Sequence, residues 1–598
     1  MPRGDLQPLG ERAVQWIGRR RGLAWWLSGF ILLLAAADAW SSRHQINSDG
    51  ISYLDLGQTV VDHGVKAGAS VAWSPVYTWV LGGVLKVLAP RPDHELALVM
   101  AVNVVIAALV LAAFAWWLRE LSGLLTREDG AEPFIPGPIQ MLVAWAVVAW
   151  VVSPEITATL VTPDLLLAAV AFAAAAALVR VGRRGGSPLL WLLLGALLGF
   201  GYLVKSAFIL PALVGCLVCG VLSAGRLPRR VGAVAVTALA CLCVAGPFIG
   251  VLSSKEGKLE VGGYGTLNYA WDVDNVTPYL NWTGGDGTFG RPVHPTLIAG
   301  SPQTFAYGSP VGGSIPVWYD PTYWYQGVQP RFRLGSQVKA VIRGIGVILK
   351  AVVEGPIILL LLLLGLILWV DAAGSPAGAA DSIDPPPRRR DAVLTAVRRH
   401  SFLALPLAGL ITYLPLHEDP RFMAEYMAML AVTAWLLVAR IPRRTFAGRG
   451  PLAPSMLSLA AVVVAVLGVL FSAVKPLDHV AKQAAGHAAP GGDNELVADA
   501  LRRAGIGAGG RVAYIGQPVE VLSAYWARLD RARVVGNIDD VDAAFWHLPP
   551  GAQSARLSLL RSRSGADAVV TDEPQARSAA GWVAIAGTGD SYLVLRAG

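Results

Sequence analysis

A few polar tracts stand out at the ends of long apolar runs. Asn47-Ser48-Asp49-Gly50-Ile51-Ser52-Tyr53-Leu54-Asp55 follows directly on the apolar run 23–40. Ser153-Pro154-Glu155 and Thr162-Pro163-Asp164-Leu165-Leu166 lie between two others, Lys205 ends another, and His417-Glu418-Asp419-Pro420-Arg421 joins a late pair. Asp49 and Asp55, two carboxylates beside the mouth of a helix bundle and away from the cytoplasm, suit an enzyme acting on a lipid-linked substrate. Asp49 is the hardest to dismiss as a cap, because the neighbouring Gly50 is expected to break any helix it would cap, and Tyr53 lies one turn on. Asp164 follows Pro163 at a helix start, where a carboxylate also favours the helix dipole. Lys205 would serve equally as a snorkelling anchor, and Arg421 as a surface partner of Glu418.

The elements that must position these residues are membrane helices. Of 598 residues, 54% are hydrophobic and 15% charged, and the mean hydropathy is +0.52. Globular domains usually carry ~25% charged residues. Uncharged runs such as 231–252 and 456–474 are long enough for a hydrocarbon core of ~30 Å. The fold class is therefore a polytopic α-helical membrane protein. The net charge of +8 sits in arginine clusters between apolar runs, with no aromatic-interleaved basic patch, so nucleic-acid binding is excluded. Cys216, Cys219, Cys241 and Cys243 all fall inside apolar runs and read as buried small hydrophobes rather than zinc ligands.

The positive-inside rule sets the threading. The N-terminus, with Arg12, Arg19, Arg20 and Arg21, is cytoplasmic, and the run 23–40 is an uncleaved first helix. The run 74–88 contains Lys86 and is flanked by Pro75 and Pro90, so it is expected to lie in the outer interface or re-enter. Spans then follow at 96–118, 139–152, 165–179, 189–204, 208–222, 231–252, 341–370, 402–416, 422–438 and 456–474. That gives eleven spans in a membrane domain at 1–474, with outer loops at 41–95 and 253–337 and the C-terminal segment outside. Residues 475–598 are expected to form a small extracytoplasmic α/β domain, with strands near 511–515, 532–535, 566–571 and 592–595 and helices near 494–504 and 519–527. Its Gly505-Ile506-Gly507-Ala508-Gly509-Gly510 string follows a helix and precedes a strand, so it reads as a helix-ending turn and not as a dinucleotide loop. On this threading every polar tract above lies on the outer side. So do Gly265-Thr266-Leu267-Asn268-Tyr269-Ala270-Trp271 and the aromatic cluster Trp318, Tyr319, Tyr323, Trp324 and Tyr325.

In order and sidedness these motifs resemble the GT-C superfamily of polyprenyl-phosphate-sugar glycosyltransferases, which includes protein mannosyltransferases and lipid A aminoarabinose transferases. Asp49 with Tyr53 after the first helix, the Thr162 to Leu166 tract and the Glu418-Asp419-Pro420-Arg421-Phe422 hairpin carry the resemblance, which covers roughly 23–474. It implies transfer of a sugar, hexosyl or pentosyl, from a polyprenyl phosphate to an acceptor glycan, lipid or protein of the cell envelope, with inversion, at the plasma membrane; the Ala-, Arg- and Val-rich composition points separately to a high-GC bacterial genome. Asp49, Asp164 and Arg421 would be catalytic, with Asp49 the general base on the acceptor hydroxyl and Arg421 and Lys205 facing the leaving phosphate. Tyr53, Asp55, Glu155, Lys205, His417, Glu418, Asn268, Tyr269 and Trp271 would contact substrate. Asp49, Glu155 and Asp164 could hold Mg²⁺ or Mn²⁺, although Gly50 stands where many relatives have a second acidic residue. The competing reading is a transporter or flippase of a lipid-linked precursor. Against it, no internal repeat is visible, and the charges sit at helix ends, not at mid-membrane.

Overall fold

A computed structural model describes residues 22–126, 133–276, 280–308, 311–372, 400–416, 419–441, 452–485 and 491–595. His417 and Glu418 therefore lie outside the described residues.

The apolar runs fold as helices at the expected places. They are Leu23–Ser41 (α1), Glu95–Leu124, Gly137–Trp150, Asp164–Arg184, Pro188–Val204, Ile209–Leu222, Leu227–Glu256, Ala404–Tyr413, Ala424–Ala439 and Leu452–Ala484. Among the described residues, six helices are long and apolar enough to cross a membrane. Shorter apolar helices cover Pro188–Val204, Ser206–Leu222, Ser401–Tyr413 and Ala424–Ala439. Leu33, Val105, Leu109, Leu239 and Leu242 stay exposed on these helices, as lipid-facing side chains must. Asp164–Arg184 is the most deeply buried of the six long helices. Its run of alanines lets Glu95–Leu124 and Pro188–Val204 approach closely.

One expected span is different. Residues 341–370 do not form one helix: Leu334–Glu354 and Ile357–Leu368 meet at an angle of 79°. Gly355 is extended, and Pro356 has no N–H with which to continue the ladder.

The tract after α1 is also helical, contrary to the expectation that Gly50 breaks it. Ser48–His63 (α2) carries Asp49 in its first turn and buries its first half. It packs on Pro75–Leu88 (α3), the helix expected to lie in the interface. The two backbones touch at Gly57 and Gly82: a Cβ on Gly82 would sit 2.5 Å from the carbonyl oxygen of Gly57. Any larger residue there would push α2 away from the bundle.

The C-terminal sheet domain, expected on the outer side, is not built from residues 475–598 alone. Leu452–Ala484 runs straight through residue 475. Beyond it, strands Arg511–Gly516 (β3), Arg533–Asp539 (β4) and Ala568–Thr571 (β5) form a parallel core in the order β4-β3-β5, extended on one side by Ser591–Val594 and Val583–Ala584. The opposite side is completed by a hairpin from the long connection between Leu227–Glu256 and Leu334–Glu354, Leu297–Gly300 (β1) and Gln303–Ala306 (β2). β2 pairs antiparallel with β4, Phe305 opposite Asn537. A shared sheet requires the loop and the C-terminal segment to occupy one side of the bundle. The opposite ends of the helices gather Glu120, Arg183, Gln140 and Arg440, which pair with one another. The Gly505 to Gly510 string is a turn between the helix Asp493–Arg503 and β3, as expected.

Candidate active site

The first turn of α2 and the start of the Asp164–Arg184 helix are pinned together. Asn47, just before α2, accepts the backbone N–H of Val161 at 2.9 Å. Asn103 holds the same connection through the carbonyls of Ala158 and Leu160, and Tyr77 of α3 donates to Asn103. Asp49 and Asp164 thereby open onto one cavity of ≈ 490 Å³, together with Lys205 and Arg421.

The charges interlock. Lys205 Nζ lies 2.6 Å from Asp164 Oδ1, and Thr162 donates to Oδ2 at 2.9 Å. Arg421 reaches Asp419 at 3.0 Å, Asp164 at 3.8 Å and Asp49 at 3.9 Å. Trp318 Nε1 donates to Asp49 Oδ1 at 3.1 Å. Asp49 keeps a quarter of its side chain open to the cavity. Burial pushes its carboxyl above the usual range, against the lowering pull of Arg421 and the Trp318 hydrogen bond. Burial also lowers the Lys205 ammonium, although Asp164 opposes this. For Arg421, burial works against the charge, but Asp164, Asp419 and Asp49 outweigh it and raise the guanidinium. The Lys205 ammonium sits 3.6 Å from the centroid of the Phe422 ring.

Aromatic rings form the opposite wall. Trp73 makes edge contacts with Tyr53 and Trp318, and Trp271 stacks on Trp318 with centroids 6.1 Å apart. Asn268 and Trp271 line the cavity, while Tyr269 does not. Ile209, Val261, Leu416 and Phe422 make one flank apolar.

Two further expected site residues point elsewhere. Asp55 turns away from the cavity and is bound by Ser314 and Arg528. Glu155 lines a second cavity of ≈ 450 Å³, with Asn47, Thr157, Thr159, Lys475 and His479. Arg421 borders both cavities. His479 and Thr157 meet over the buried Asp38, at 2.7 and 3.2 Å. Lys475 and His479 went unread because they extend an apolar run, yet their spacing of one turn past its outer end is a legible signal. The residues do not fit a divalent cation. Asp164 is taken by Lys205 and Thr162, Glu155 is in the other cavity, and among the described residues no group of three or more His, Cys, Asp or Glu side chains could hold a metal.

No protein-family profile matches this chain, and no curated protein does. Solved structures similar to it include ArnT from Cupriavidus metallidurans bound to undecaprenyl phosphate, at 11% identity and a TM-score of 0.49, covering 96% of this chain and 97% of that one. Another is the apo oligosaccharyltransferase of Archaeoglobus fulgidus, at 12% identity and a TM-score of 0.44, covering 92% and 70%. The oligosaccharyltransferase AglB of the same organism, in complex with an inhibitory peptide and a dolichol-phosphate, gives 13% identity and a TM-score of 0.43 over 92% and 70%.

Proposed function

We propose that this chain is a GT-C-type membrane glycosyltransferase that moves a sugar from a polyprenyl phosphate to a hydroxyl-bearing acceptor of the cell envelope. The observation that carries the reading is Asp49, a quarter open to a cavity that it shares with a buried Lys205–Asp164 pair and the forked Arg421. A carboxylate with a raised pKa is suited to accept a proton, and two preorganised cations are suited to receive a phosphate. The apolar flank takes the first units of the polyprenyl chain, and the aromatic wall takes the sugar faces.

In the reaction, the acceptor oxygen attacks the anomeric carbon as Asp49 removes its proton. The bond from that carbon to the phosphate oxygen breaks on the opposite face, so the configuration inverts. The electron pair leaves with the polyprenyl phosphate, whose charge Arg421 and Lys205 meet; a guanidinium does so through two parallel hydrogen bonds. Asp164 orients Lys205 and offsets its charge. The second cavity, polar and bordered by Arg421, Lys475 and His479, offers the acceptor a route to the same arginine.

The test is transfer by purified protein in nanodiscs from a panel of polyprenyl-phosphate sugars. The product should appear together with free polyprenyl phosphate, and NMR should show an inverted anomeric centre. Retention of configuration would sink the single-displacement mechanism.

A further inference from the structure

The C-terminal sheet domain reaches α2 through an arginine. Arg528, on the short helix Tyr525–Leu529, is 10% exposed and faces two carboxylates. Its NH1 lies 2.7 Å from Asp55 Oδ1, and its Nε and NH2 lie 2.7 and 2.8 Å from the two oxygens of Glu95. Asp55 is also the anchor of the loop that reaches Asp49. It accepts the backbone N–H of Ser314 at 2.6 Å and the Ser314 hydroxyl at 3.1 Å. Two residues after Ser314 begins the helical turn Pro316–Tyr319, which carries Trp318 and its hydrogen bond to Asp49. From the other side, β4 of the outer domain holds the same loop, Val534 N–H donating to the Ser314 carbonyl at 2.8 Å.

Burying such an ion cluster costs desolvation that its attraction barely offsets. What it supplies is geometry: α2, the Trp318 loop and the outer domain meet at a single carboxylate. We propose that Asp55 and Arg528 are positioning residues through which the seated outer domain holds Trp318 on Asp49, making that domain a working part of the catalytic apparatus. This rests on the reading of Asp49 as the base.

Asp55→Asn is the informative variant, because Arg528 keeps Glu95 and no charge is orphaned. Whichever way the new amide turns, its NH₂ meets an N–H, of Arg528 or of Ser314, so one arm of the clamp is lost. The expected result is a fall in kcat of about tenfold or more, with KM for the donor within about twofold. Besides Trp318, Asp49 faces Arg421, Lys205, Asp164, Tyr53 and Tyr264. Those groups stay in place, so losing the Trp318 hydrogen bond moves the acid limb of the pH–rate profile to higher pH, as Trp318→Phe should also do. Combining Asp55→Asn with Trp318→Phe should cost no more than the worse single change, since both break one connection. Additive losses, or an Asp55→Asn enzyme with wild-type kcat and an unmoved limb, would overturn the proposal. Arg528→Lys, which keeps a charge but not the fork, should show the same shift in milder form; an unmoved limb there also counts against it. Asp49→Asn is run alongside: if that enzyme stays active, it is the base reading that fails, whatever Asp55 does.

Discussion

Arg421 stands among three carboxylates, and none of them holds it alone. Its fork is what lets one side chain serve Asp419, Asp164 and Asp49 and, in the proposed reaction, still present N–H groups to an incoming phosphate. Arg421→Lys keeps the charge but not the fork, so affinity for polyprenyl phosphate should fall about tenfold, read by calorimetric titration in nanodiscs. Unchanged affinity would remove Arg421 from the phosphate site. Asp49, Asp164, Lys205 and Arg421 were legible in the sequence because shared sidedness at helix ends already grouped them. Asp55 was misplaced for a geometric reason. Once the tract is known to be helical, six residues carry Asp55 about 120° around the axis from Asp49, whereas Tyr53 at four residues stays on the same face. Glu155 shares the same end of the bundle but lines a cavity other than the main one, with Arg421 bordering both, a distinction that sidedness cannot make.

At the scale of elements, α2 decides the site, and Gly50 decides α2. A Cβ at Gly50 would lie 2.6 Å from Val161 Cβ and 2.8 Å from Ile46 Cγ1. The glycine is there for close packing between the Asp49 helix and the connection that leads to Asp164. Gly50→Ala should therefore cost about 1–3 kcal/mol of stability and lower turnover by separating the two aspartates, measured as a drop in Tm alongside activity. A Tm and turnover equal to wild type would contradict this packing role. The same residue misled the sequence reading, since glycine weakens a helix by propensity and only tertiary contact shows why it is kept. The break at Gly355-Pro356 was present in the sequence, but the apolar run on either side hid it. The helices themselves were legible almost throughout, because uncharged runs with arginine at one end admit few alternatives.

The whole molecule is tied together by a sheet assembled from segments more than two hundred residues apart, which no local pattern announces. Strands β1 and β2 are four residues each and lack an alternating stretch long enough to stand out. Where they meet β4, Asn281 donates to Asp539 at 3.0 Å, and Tyr307 and Asn537 complete a buried polar seam. Burial pushes the Asp539 carboxyl up to about 6 from 3.8. Its folded pKa lies above its unfolded one, so the stability linked to its proton is complete below 3.8 and lost as pH rises through about 6. Hydrogen exchange at the Tyr307 amide, corrected for intrinsic rate, should accelerate across that window in the wild type and stay level in Asp539→Asn. A wild-type rate that is flat with pH would disprove the linkage. For the molecule as an enzyme, the decisive measurement sets donor binding beside turnover in Asp49→Asn. A base removed from an intact site should leave polyprenyl-phosphate-sugar binding within a few-fold while turnover falls by roughly 10²–10⁴. Turnover that survives the substitution would contradict the central claim that Asp49 takes the proton.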